Sequence, residues 1–505
     1  MIVQTSAGKV GGIEKMGCLQ FRGVPFAQPP VGELRWKSPR PHQSWDGTRE
    51  CTEFGPICPQ VAGTMERLTT TSQVRTNPMS EDCLTLNVFT PAADDGARPV
   101  MVWIHGGGFS TGSGRLPWYY GHNFCRDGVV VVTINYRVNA FGFLELGELF
   151  GASFAETGTL GIQDQVAALQ WVHENIAAFG GDPGNVTIFG ESAGGGSVGT
   201  LLATPSAQGL FHKAIPQSGA AHWSLQRDVA SRITERLLAA VGVKPGDTDA
   251  LLALDAESLT EGVGTLGTSL SEESARVFGD DFDGAAMVFQ PVWGGDVLPR
   301  PSIDAIAGGS AAGIPTLVGT TKEEWKLFTL GAKPGQGRVR AVRPLRNLCE
   351  RKGRSVDELI GFYEKQDGVR NEIDLRNAVE TDRTFRIPAI RLAEAQVDSD
   401  TPSWMYRFDW PSPAFNGAFG ACHALEIPFV FDNLSAPGVD IFTGGEAPQE
   451  IATAMHAAWV SFAKTGDPGW PRYDTDRRAT MLFDVSSGVA DDPDGDTRRL
   501  WDGLL

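Results

Sequence analysis

The most informative segment of the chain is Val186-Thr187-Ile188-Phe189-Gly190-Glu191-Ser192-Ala193-Gly194. A β-branched strand runs directly into Gly-x-Ser-x-Gly and then into small residues that begin a helix. This is the layout of a nucleophile elbow, in which a serine occupies a sharp turn between strand and helix. Glycines two residues on either side of Ser192 let the helix and the neighbouring strand approach closely. We therefore expect Ser192 to be a catalytic nucleophile, beside a helix N-terminus that favours negative charge.

Around this elbow the chain alternates buried strand runs with helical patterns. The predicted strands are residues 99–104, 129–135, 186–189, 214–217, 316–319 and 404–408. Between two of them, Leu169, Val172, Ile176 and Phe179 recur at helical spacing, and two glycines then supply a stop. This alternation predicts an α/β fold with a mostly parallel sheet and helices on both faces.

Composition excludes several classes of function. The 505 residues carry 43 Lys and Arg against 61 Asp and Glu, a net charge of −18. The electrostatic field of this negative charge repels phosphate backbones and anionic lipid surfaces, so no nucleic-acid or membrane partner is expected. An apolar run of membrane-spanning length is absent from the sequence, and its first ten residues lack the pattern of a signal peptide. Seven cysteines in so long a chain indicate reduced thiols, and we expect a cytoplasmic protein.

A second motif, Trp103-Ile104-His105-Gly106-Gly107-Gly108-Phe109, lies at the end of the first predicted strand. Nucleophilic attack on a carbonyl leaves an oxyanion, and backbone N–H groups reach it only where no Cβ obstructs them. Consecutive glycines meet that condition. The N–H groups of Gly107 and Gly108, with that of Ala193 after the nucleophile, are therefore predicted to form an oxyanion hole.

A serine nucleophile needs a base, which in folds with this elbow follows the acid along the chain. Four of the eight histidines precede Ser192 and are excluded. His212 is predicted to pack locally, His222 lies upstream of the expected acid, and His456 lies in a helical stretch. His423, in a loop after the strand at 404–408, is therefore the best candidate for the base.

The acid should be a carboxylate near a strand end, where it can orient the imidazole. Glu323 and Glu324 both follow the predicted strand at 316–319. Adjacent carboxylates point in different directions, so only one can serve, and the residues alone leave the choice open. We expect the other to be a solvated surface charge.

Taken together, these residues resemble the type-B carboxylesterases, close to the bacterial para-nitrobenzyl esterases and more distantly similar to the cholinesterases. The resemblance covers nearly the whole chain. Its motifs are Phe21-Arg22-Gly23-Val24-Pro25-Phe26-Ala27, Pro29-Pro30-Val31-Gly32, Ser80-Glu81-Asp82-Cys83-Leu84, the glycine run, Asn135-Tyr136-Arg137, Phe179-Gly180-Gly181-Asp182-Pro183, the elbow and Pro428-Phe429-Val430-Phe431.

The resemblance implies an α/β-hydrolase fold and a serine hydrolase that cleaves carboxylic esters through an acyl-enzyme. It implies Ser192 as nucleophile, Glu324 as acid and His423 as base, with Glu324 chosen because the family's acid ends the acidic run. Trp325 departs from the glycine that the family usually has after this acid. The expected architecture is one domain over residues 1–505, with helical insertions at about 222–310 and 326–400.

Other implied features concern structure more than chemistry. Arg35 and Glu81 resemble the family's buried ion pair. Ser218 resembles a serine behind the catalytic histidine, and Glu191 is placed to influence the field of the pocket. Cys58 and Cys83 resemble the ends of a family disulfide loop, although a reducing compartment disfavours that bond.

Departures from the family also narrow the substrate. The interval between Cys58 and Cys83 contains no Trp, Tyr or Phe, so choline esters are not expected as preferred substrates. Seven aromatic residues are candidates to line a gorge for aryl or short-to-medium acyl esters. For each of them taken alone, packing in the hydrophobic core is an equally weighted alternative. They are Trp118, Tyr119, Tyr120, Trp223, Phe278, Phe282 and Phe289.

Two alternative functions remain open. The same triad could cleave an amide or a carbamate, and a non-catalytic binding relative of this fold is the less favoured second alternative. Gly194, Gly196 and Gly199 satisfy G-x-G-x-x-G, but the first glycine comes too far past the strand and the expected acid downstream is missing. We expect no cofactor, no metal site and a small-molecule ester as the partner, with the chain acting as a monomer or small homo-oligomer.

Overall fold

The computed structural model describes residues 1–62, 78–278, 287–332, 335 and 337–505. The strands in this part of the chain are β1 Ile2–Gln4, β2 Lys9–Gly11, β3 Ile13–Lys15, β4 Cys18–Pro25, β5 Thr48–Glu50, β6 Thr85–Thr90, β7 Arg98–Ile104, β8 Val130–Ile134, β9 Gly181–Glu191, β10 Lys213–Gln217, β11 Leu225–Gln226, β12 Val292–Trp293, β13 Thr316–Thr321, β14 Ser403–Phe408, β15 Ala479–Phe483 and β16 Gly488–Asp491.

The α-helices in the same described residues are α1 His122–Arg126, α2 Asn139–Phe143, α3 Gly147–Phe150, α4 Leu160–Asn175, α5 Ala193–Ala203, α6 Arg227–Ala240, α7 Thr248–Ala253, α8 Ala256–Phe278, α9 Ser302–Ala307, α10 Gly337–Arg351, α11 Val356–Tyr363, α12 Glu372–Thr381, α13 Ile387–Asp398, α14 Ala414–Gly417, α15 Ile427–Val430, α16 Val439–Thr443, α17 Gln449–Thr465 and α18 Gly495–Leu500. Short 3₁₀ turns occupy Gly32–Leu34, Pro117–Tyr119, Ala152–Phe154, Thr157–Thr159, Ile176–Phe179, Pro205–Ala207 and Glu324–Thr329, and a π-helical turn spans Asp382–Arg386.

An eleven-stranded sheet organises the molecule, in the order β16-β15-β14-β13-β10-β9-β7-β8-β6-β4-β3. Every neighbouring pair from β15 through to β8 is parallel. The pairs outside this block are antiparallel. The prediction of a mostly parallel sheet flanked by helices is therefore confirmed.

The central strands are buried because helices cover both faces of the sheet. All five residues of β8, with the sequence VVVTI, are buried, which suits β-branched side chains in a two-sided sheet. Register places Ile104 opposite Gly190, and Gln217 opposite both Glu191 and Gly319. The carboxyl ends of β7, β9, β10 and β13 therefore meet at one edge, where open α/β sheets bind ligands.

The predicted strands are all present, with boundaries shifted by a few residues. The predicted helical repeat forms α4 and the following 3₁₀ turn, which ends at Gly180 with φ of 80°. Strands β1 to β6, whose pairings are antiparallel except for that of β2 with β5, were not predicted. Helices α6 to α9 and α10 to α13 occupy the two segments expected to hold insertions, while the division of the chain into domains stays a prediction.

Two expectations from the sequence concern the Arg35–Glu81 ion pair and the state of the cysteines. Arg35 binds Glu81 through two hydrogen bonds of 2.6 Å, with little of either side chain exposed. All seven cysteines are buried free thiols, Cys58 and Cys83 included. Among the described residues, none of the helices combines the length and the apolar character that crossing a membrane requires.

Candidate active site

Ser192 occupies the turn between β9 and α5, with φ of 57° and ψ of −125°. Positive φ at a residue other than glycine is strained and occurs most often at functional sites. The Ser192 N–H donates to the carbonyl of Gln217 on β10 at 2.9 Å. A methyl group added at Gly194 would overlap the carbonyl oxygen of Ile104, and one at Gly190 would lie 2.6 Å from it. Close backbone approach therefore requires both glycines of the elbow.

The glycine run after β7 lies directly against this elbow. A Cβ built on Gly106 would stand 3.0 Å from the Cβ of Ser192. Gly107 and Gly108 have φ of 115° and 61°, which side chains rarely adopt. The glycine run thus meets the elbow at Gly106, the residue before the predicted donors Gly107 and Gly108, and Ala193 is the first residue of α5.

Glu324 and His423 come together although 99 residues separate them along the chain. His423 Nδ1 lies 2.7 Å from Glu324 Oε2, and both side chains are buried. The other carboxylate oxygen of Glu324 accepts the Thr321 N–H at 2.8 Å, and the carbonyl of Glu324 accepts the His423 N–H at 3.2 Å. The carboxylate and the imidazole are thus fixed relative to each other through both side chain and backbone.

Glu323 has a different environment from the one expected. Its carboxylate accepts the Ala421 N–H at 3.0 Å and pairs with Lys326 at 2.6 Å. A third of its side chain is exposed, as a surface charge requires, but the loop that carries His423 is also hydrogen-bonded to it. Of the two adjacent carboxylates, Glu324 is the one that contacts the imidazole.

The second imidazole nitrogen faces the elbow. His423 Nε2 lies 3.0 Å from Glu191 Oε1, yet neither atom makes a hydrogen bond within the described residues, so Ser192 Oγ is not bonded to this nitrogen either. Burial lowers the pKa of His423, but the carboxylates of Glu191 and Glu324 outweigh it and raise that pKa well above the ordinary value. The two carboxylates therefore stabilise the imidazolium that forms whenever His423 accepts a proton.

A further carboxyl group that sequence reasoning missed lies behind the imidazole. Glu426 is fully buried and accepts a hydrogen bond from Gln217 Nε2 at 3.2 Å, while Gln217 accepts the Trp459 indole N–H at 3.0 Å. Burial, with the nearby charges of Glu191 and Glu324, raises the pKa of Glu426 to about 8. The spacing of three residues from His423 is the sequence signal that points to it.

Two aromatic rings pack against the imidazole of His423. The ring centroids of Phe385 and Phe328 lie 4.7 and 5.2 Å from that of His423. Phe385 also contacts Trp223 edge-on at 5.7 Å, and Trp325 packs on Phe328 at 4.8 Å. Neither Phe385 nor Phe328 was predicted, because nothing local in the sequence indicates which aromatic residues reach the site.

The predicted gorge residues divide into three groups. Trp223 packs against the nucleophile helix at Gly196 and belongs to the site. Trp118, Tyr119 and Phe289 are buried in the hydrophobic core, and Tyr120 is half-buried and stacks on Phe54. The side chain of Phe278 and the whole of Phe282 lie outside the described residues.

The remaining polar candidates are structural. His212 accepts the Val186 N–H at 3.1 Å, and His456 contacts the Val430 carbonyl at 2.8 Å from within α17. Ser218 is fully buried, and its N–H donates to the Gly319 carbonyl at 2.8 Å. Across the described ranges, no group of His, Cys, Asp and Glu side chains could hold a metal ion.

This sheet, with a strained serine between strand and helix at its carboxyl edge, defines an α/β-hydrolase fold. The Carboxylesterase family model matches residues 1–493, so the chain belongs to that family and is a carboxylic ester hydrolase. It is 39% identical to the para-nitrobenzyl esterase of Bacillus subtilis (strain 168), over 99% of this chain and 98% of that one. It is 36% identical to the phenmedipham hydrolase of Pseudarthrobacter oxydans, over 97% of each chain.

Solved structures agree with this assignment. A carboxylesterase of Geobacillus stearothermophilus is 43% identical, with a TM-score of 0.86 and 99% of each chain covered. A thermophilic PNB esterase is 36% identical, with a TM-score of 0.87 and both chains covered completely. The likeness therefore extends over the whole fold.

Proposed function

We propose that the chain cleaves esters with Ser192 as nucleophile, His423 as general base and Glu324 as the acid that orients the base. The observation that carries this proposal is the buried 2.7 Å contact between His423 Nδ1 and Glu324 Oε2, with Nε2 left without a hydrogen bond. A base in this state can accept the proton of a serine hydroxyl on the elbow beside it.

Catalysis then proceeds in two acyl-transfer steps. As Ser192 Oγ attacks the ester carbonyl, its proton passes to His423 Nε2. The resulting oxyanion accepts hydrogen bonds from the N–H groups of Gly107, Gly108 and Ala193. The protonated imidazole gives that proton to the departing alcohol. Water, deprotonated by His423 in turn, attacks the acyl-enzyme and releases the carboxylic acid and Ser192.

Glu191 adds to the stabilisation of the imidazolium. Its carboxyl oxygen lies 3.0 Å from Nε2 without hydrogen-bond geometry, so the nitrogen lone pair stays available to the serine proton. Once His423 is protonated, a carboxylate at this distance attracts the positive charge inside a buried site. Burial raises the pKa of Glu191 itself, and His423 opposes that rise.

Aryl esters, or esters with short-to-medium acyl chains, are the substrates that the site favours. The support for this is the pair of rings from Phe328 and Phe385 next to the imidazole, where the leaving alcohol must receive its proton, with Trp223 packed against Phe385. The relative named para-nitrobenzyl esterase points in the same direction. Choline esters stay unexpected.

A carbamate or amide bond is the second candidate. It is favoured by the relative named phenmedipham hydrolase, whose substrate is a carbamate. The candidates are distinguished by the hydrolysis of three substrates that carry the same aryl group: an acetate ester, an N-methylcarbamate and an anilide. The ratio of their kcat/KM values shows which acyl group the triad handles best.

We also propose that the protein resides in the cytoplasm, which the free state of its seven cysteines supports. Action as a monomer or small homo-oligomer stays a prediction.

The decisive test is Ser192→Ala assayed with a p-nitrophenyl ester. We expect turnover to fall by roughly a millionfold, as removal of a triad nucleophile does elsewhere. The matched control is Ser197→Ala, since Ser197 lies on the same helix and only accepts a hydrogen bond from Gln165. A fluorophosphonate probe should label the wild type and the control but not Ser192→Ala. Retention of a tenth of the activity by Ser192→Ala would refute the proposal.

A further inference from the structure

A π-helical turn at Asp382–Arg386, between α12 and α13, lies against the segment that carries Glu324. π-turns are rare and frequently occur at functional sites. We call residues 321–325 the acid turn, because they connect β13 to Glu324 and to the residue after it. Phe385 is the one residue of this turn to which the proposed function gives a role, through the ring that it places beside His423.

Arg386 binds the acid turn through its backbone. Its Nη2 donates to the carbonyl oxygens of Thr321 at 3.1 Å and of Lys322 at 2.7 Å. The N–H of Thr321 in turn donates to Glu324 Oε1 at 2.8 Å. Only the backbone of Thr321 therefore stands between the guanidinium and the carboxylate that orients His423.

Arg386 is itself held rigidly. Its Nη1 donates to Asp382 Oδ1 at 3.1 Å and lies 3.5 Å from Asp494, and only 9% of its side chain is exposed. The Tyr363 hydroxyl donates to the other oxygen of Asp382 at 2.7 Å. Burial raises the pKa of Asp382 to about 6, although Arg386 opposes the rise. A fixed guanidinium can impose its position on the backbone that it binds.

Two more residues next to or within the π-turn contact the site. Thr381 Oγ1 accepts the N–H of Trp325, the residue after the acid, at 3.1 Å. Phe385 packs its ring 4.7 Å from that of His423. A single segment thus contacts the acid turn before and after Glu324 and also contacts the base.

We propose that Arg386 is a positioning residue, which holds the acid turn so that Glu324 stays in hydrogen-bonding contact with His423. This inference rests on the proposed function, because it assumes that the Glu324–His423 pair performs the chemistry. The planar guanidinium reaches two carbonyls and two carboxylates at once, which a lysine ammonium on a flexible stem cannot do.

The test compares Arg386→Lys and Arg386→Gln with Arg391→Gln, across the pH profile of a p-nitrophenyl ester. Arg391 is the matched control, since it binds Glu394 and Asp502 at 2.8 Å each and lies on the neighbouring helix α13. We expect both Arg386 variants to lose about 10- to 100-fold in kcat, because small displacements of catalytic groups have effects of this size. KM should change by about twofold or less.

The pH profile separates positioning from general stability. A loosened Glu324 supports the imidazolium less, so the apparent pKa in the profile of kcat/KM should fall in both Arg386 variants and stay unchanged in the control. A merely structural role would lower the melting temperature without moving this pKa. A charge-only role would let Arg386→Lys match the wild type. Either result would overturn the inference.

Thr381→Val keeps the test valid if the Arg386 variants fail to fold. It removes only the hydroxyl that accepts the Trp325 N–H, and we expect a several-fold loss in kcat with the same direction of pKa shift. A Thr381→Val enzyme with the wild-type profile would count against the positioning of the acid turn.

If Ser192→Ala is inactive while all these variants behave as wild type, only this inference fails. If Ser192→Ala is active, the proposed function fails as well.

Discussion

The two halves of the site are built in different ways. The nucleophile half, Ser192 with the glycine run, derives its geometry from backbone conformation: φ of 57° at the serine and positive φ at Gly107 and Gly108. The acid–base half depends on contacts between segments far apart in the chain, which join Glu324 to His423 and the acid turn to Arg386. The first half is therefore encoded locally, and the second is assembled by the tertiary fold.

This difference predicts how each half fails. A substitution in the nucleophile half should block the chemistry directly or distort the backbone. A substitution in the acid–base half should act through the orientation and protonation of an imidazole whose ring is otherwise intact. Paired substitutions in the two halves test this contrast.

Glu324→Gln tests the acid–base half. The amide keeps the size of the side chain but favours the wrong tautomer of His423, so we expect kcat to fall by about 10⁴-fold. Glu323→Gln is the matched comparison, because Glu323 bonds only to Ala421 and Lys326. We expect it to lose about tenfold or less, through the loop that carries His423. Equal losses in the two variants, measured by steady-state kinetics, would contradict the assignment of Glu324.

Gly107→Ala tests the backbone of the nucleophile half. With φ of 115°, a methyl group there would overlap the Thr111 carbonyl and displace the predicted oxyanion donors. Loss of one such donor costs about 10²- to 10³-fold in kcat, and we expect a loss in that range.

Gly209→Ala is the control for this strain. Gly209 has φ of 79° with open space around its Cα, so the substitution carries a conformational cost without a clash. We expect its activity to match the wild type even if its melting temperature falls. Similar kcat values for the two glycine variants would show that the Gly107 backbone does not serve the oxyanion.

Glu426→Gln tests the buried carboxyl groups behind the acid–base half. The pKa of Glu426 is about 8 in the folded protein against an ordinary value of 4.5, so the folded state binds the extra proton between these values. Stability should therefore decline as pH rises from about 5 to 8. One pKa unit corresponds to about 1.4 kcal/mol. Over this pH range, the free energy of unfolding of Glu426→Gln should therefore fall less than that of the wild type, by on the order of 1 kcal/mol or more.

Urea unfolding at pH 5, 6.5 and 8 measures that slope. The exposed Glu14→Gln is the control and should keep the slope of the wild type. A Glu426→Gln protein with the same slope as Glu14→Gln would mean that Glu426 is ionised throughout this range.

The same contrast explains which parts of the site could be predicted. Ser192 and the glycine run are contiguous motifs with a physical meaning of their own, so the sequence alone indicated them. The choice of Glu324 over Glu323 needed the family resemblance, because neighbouring carboxylates look alike until the turn between them is known. Phe385, Arg386 and Glu426 were missed, since their roles depend on which distant segments the fold brings together.

Errors in the fold prediction have a similar cause. The predicted strands are the buried β-branched runs of the parallel block, whereas β1, β2, β3 and β5 have three residues each and contain exposed residues. The eight-residue β4, which is largely buried, was missed as well. Trp118 and Tyr119 lie close in sequence to the glycine run, yet helical and sheet packing carries them into the core. Proximity in sequence to a motif does not place a side chain in the site.

The parallel register of β9, β10 and β13 has a consequence for how this enzyme could diversify. The nucleophile and the acid project from strands that belong to one rigid sheet, while long helical stretches of chain leave the sheet between β10 and β13 and again before β14. Apart from Thr381 and the π-turn at Asp382–Arg386, those stretches can change in length and composition without altering the spacing between the reacting groups. New ester selectivities can therefore arise by exchange of whole segments, with the chemistry inherited unchanged.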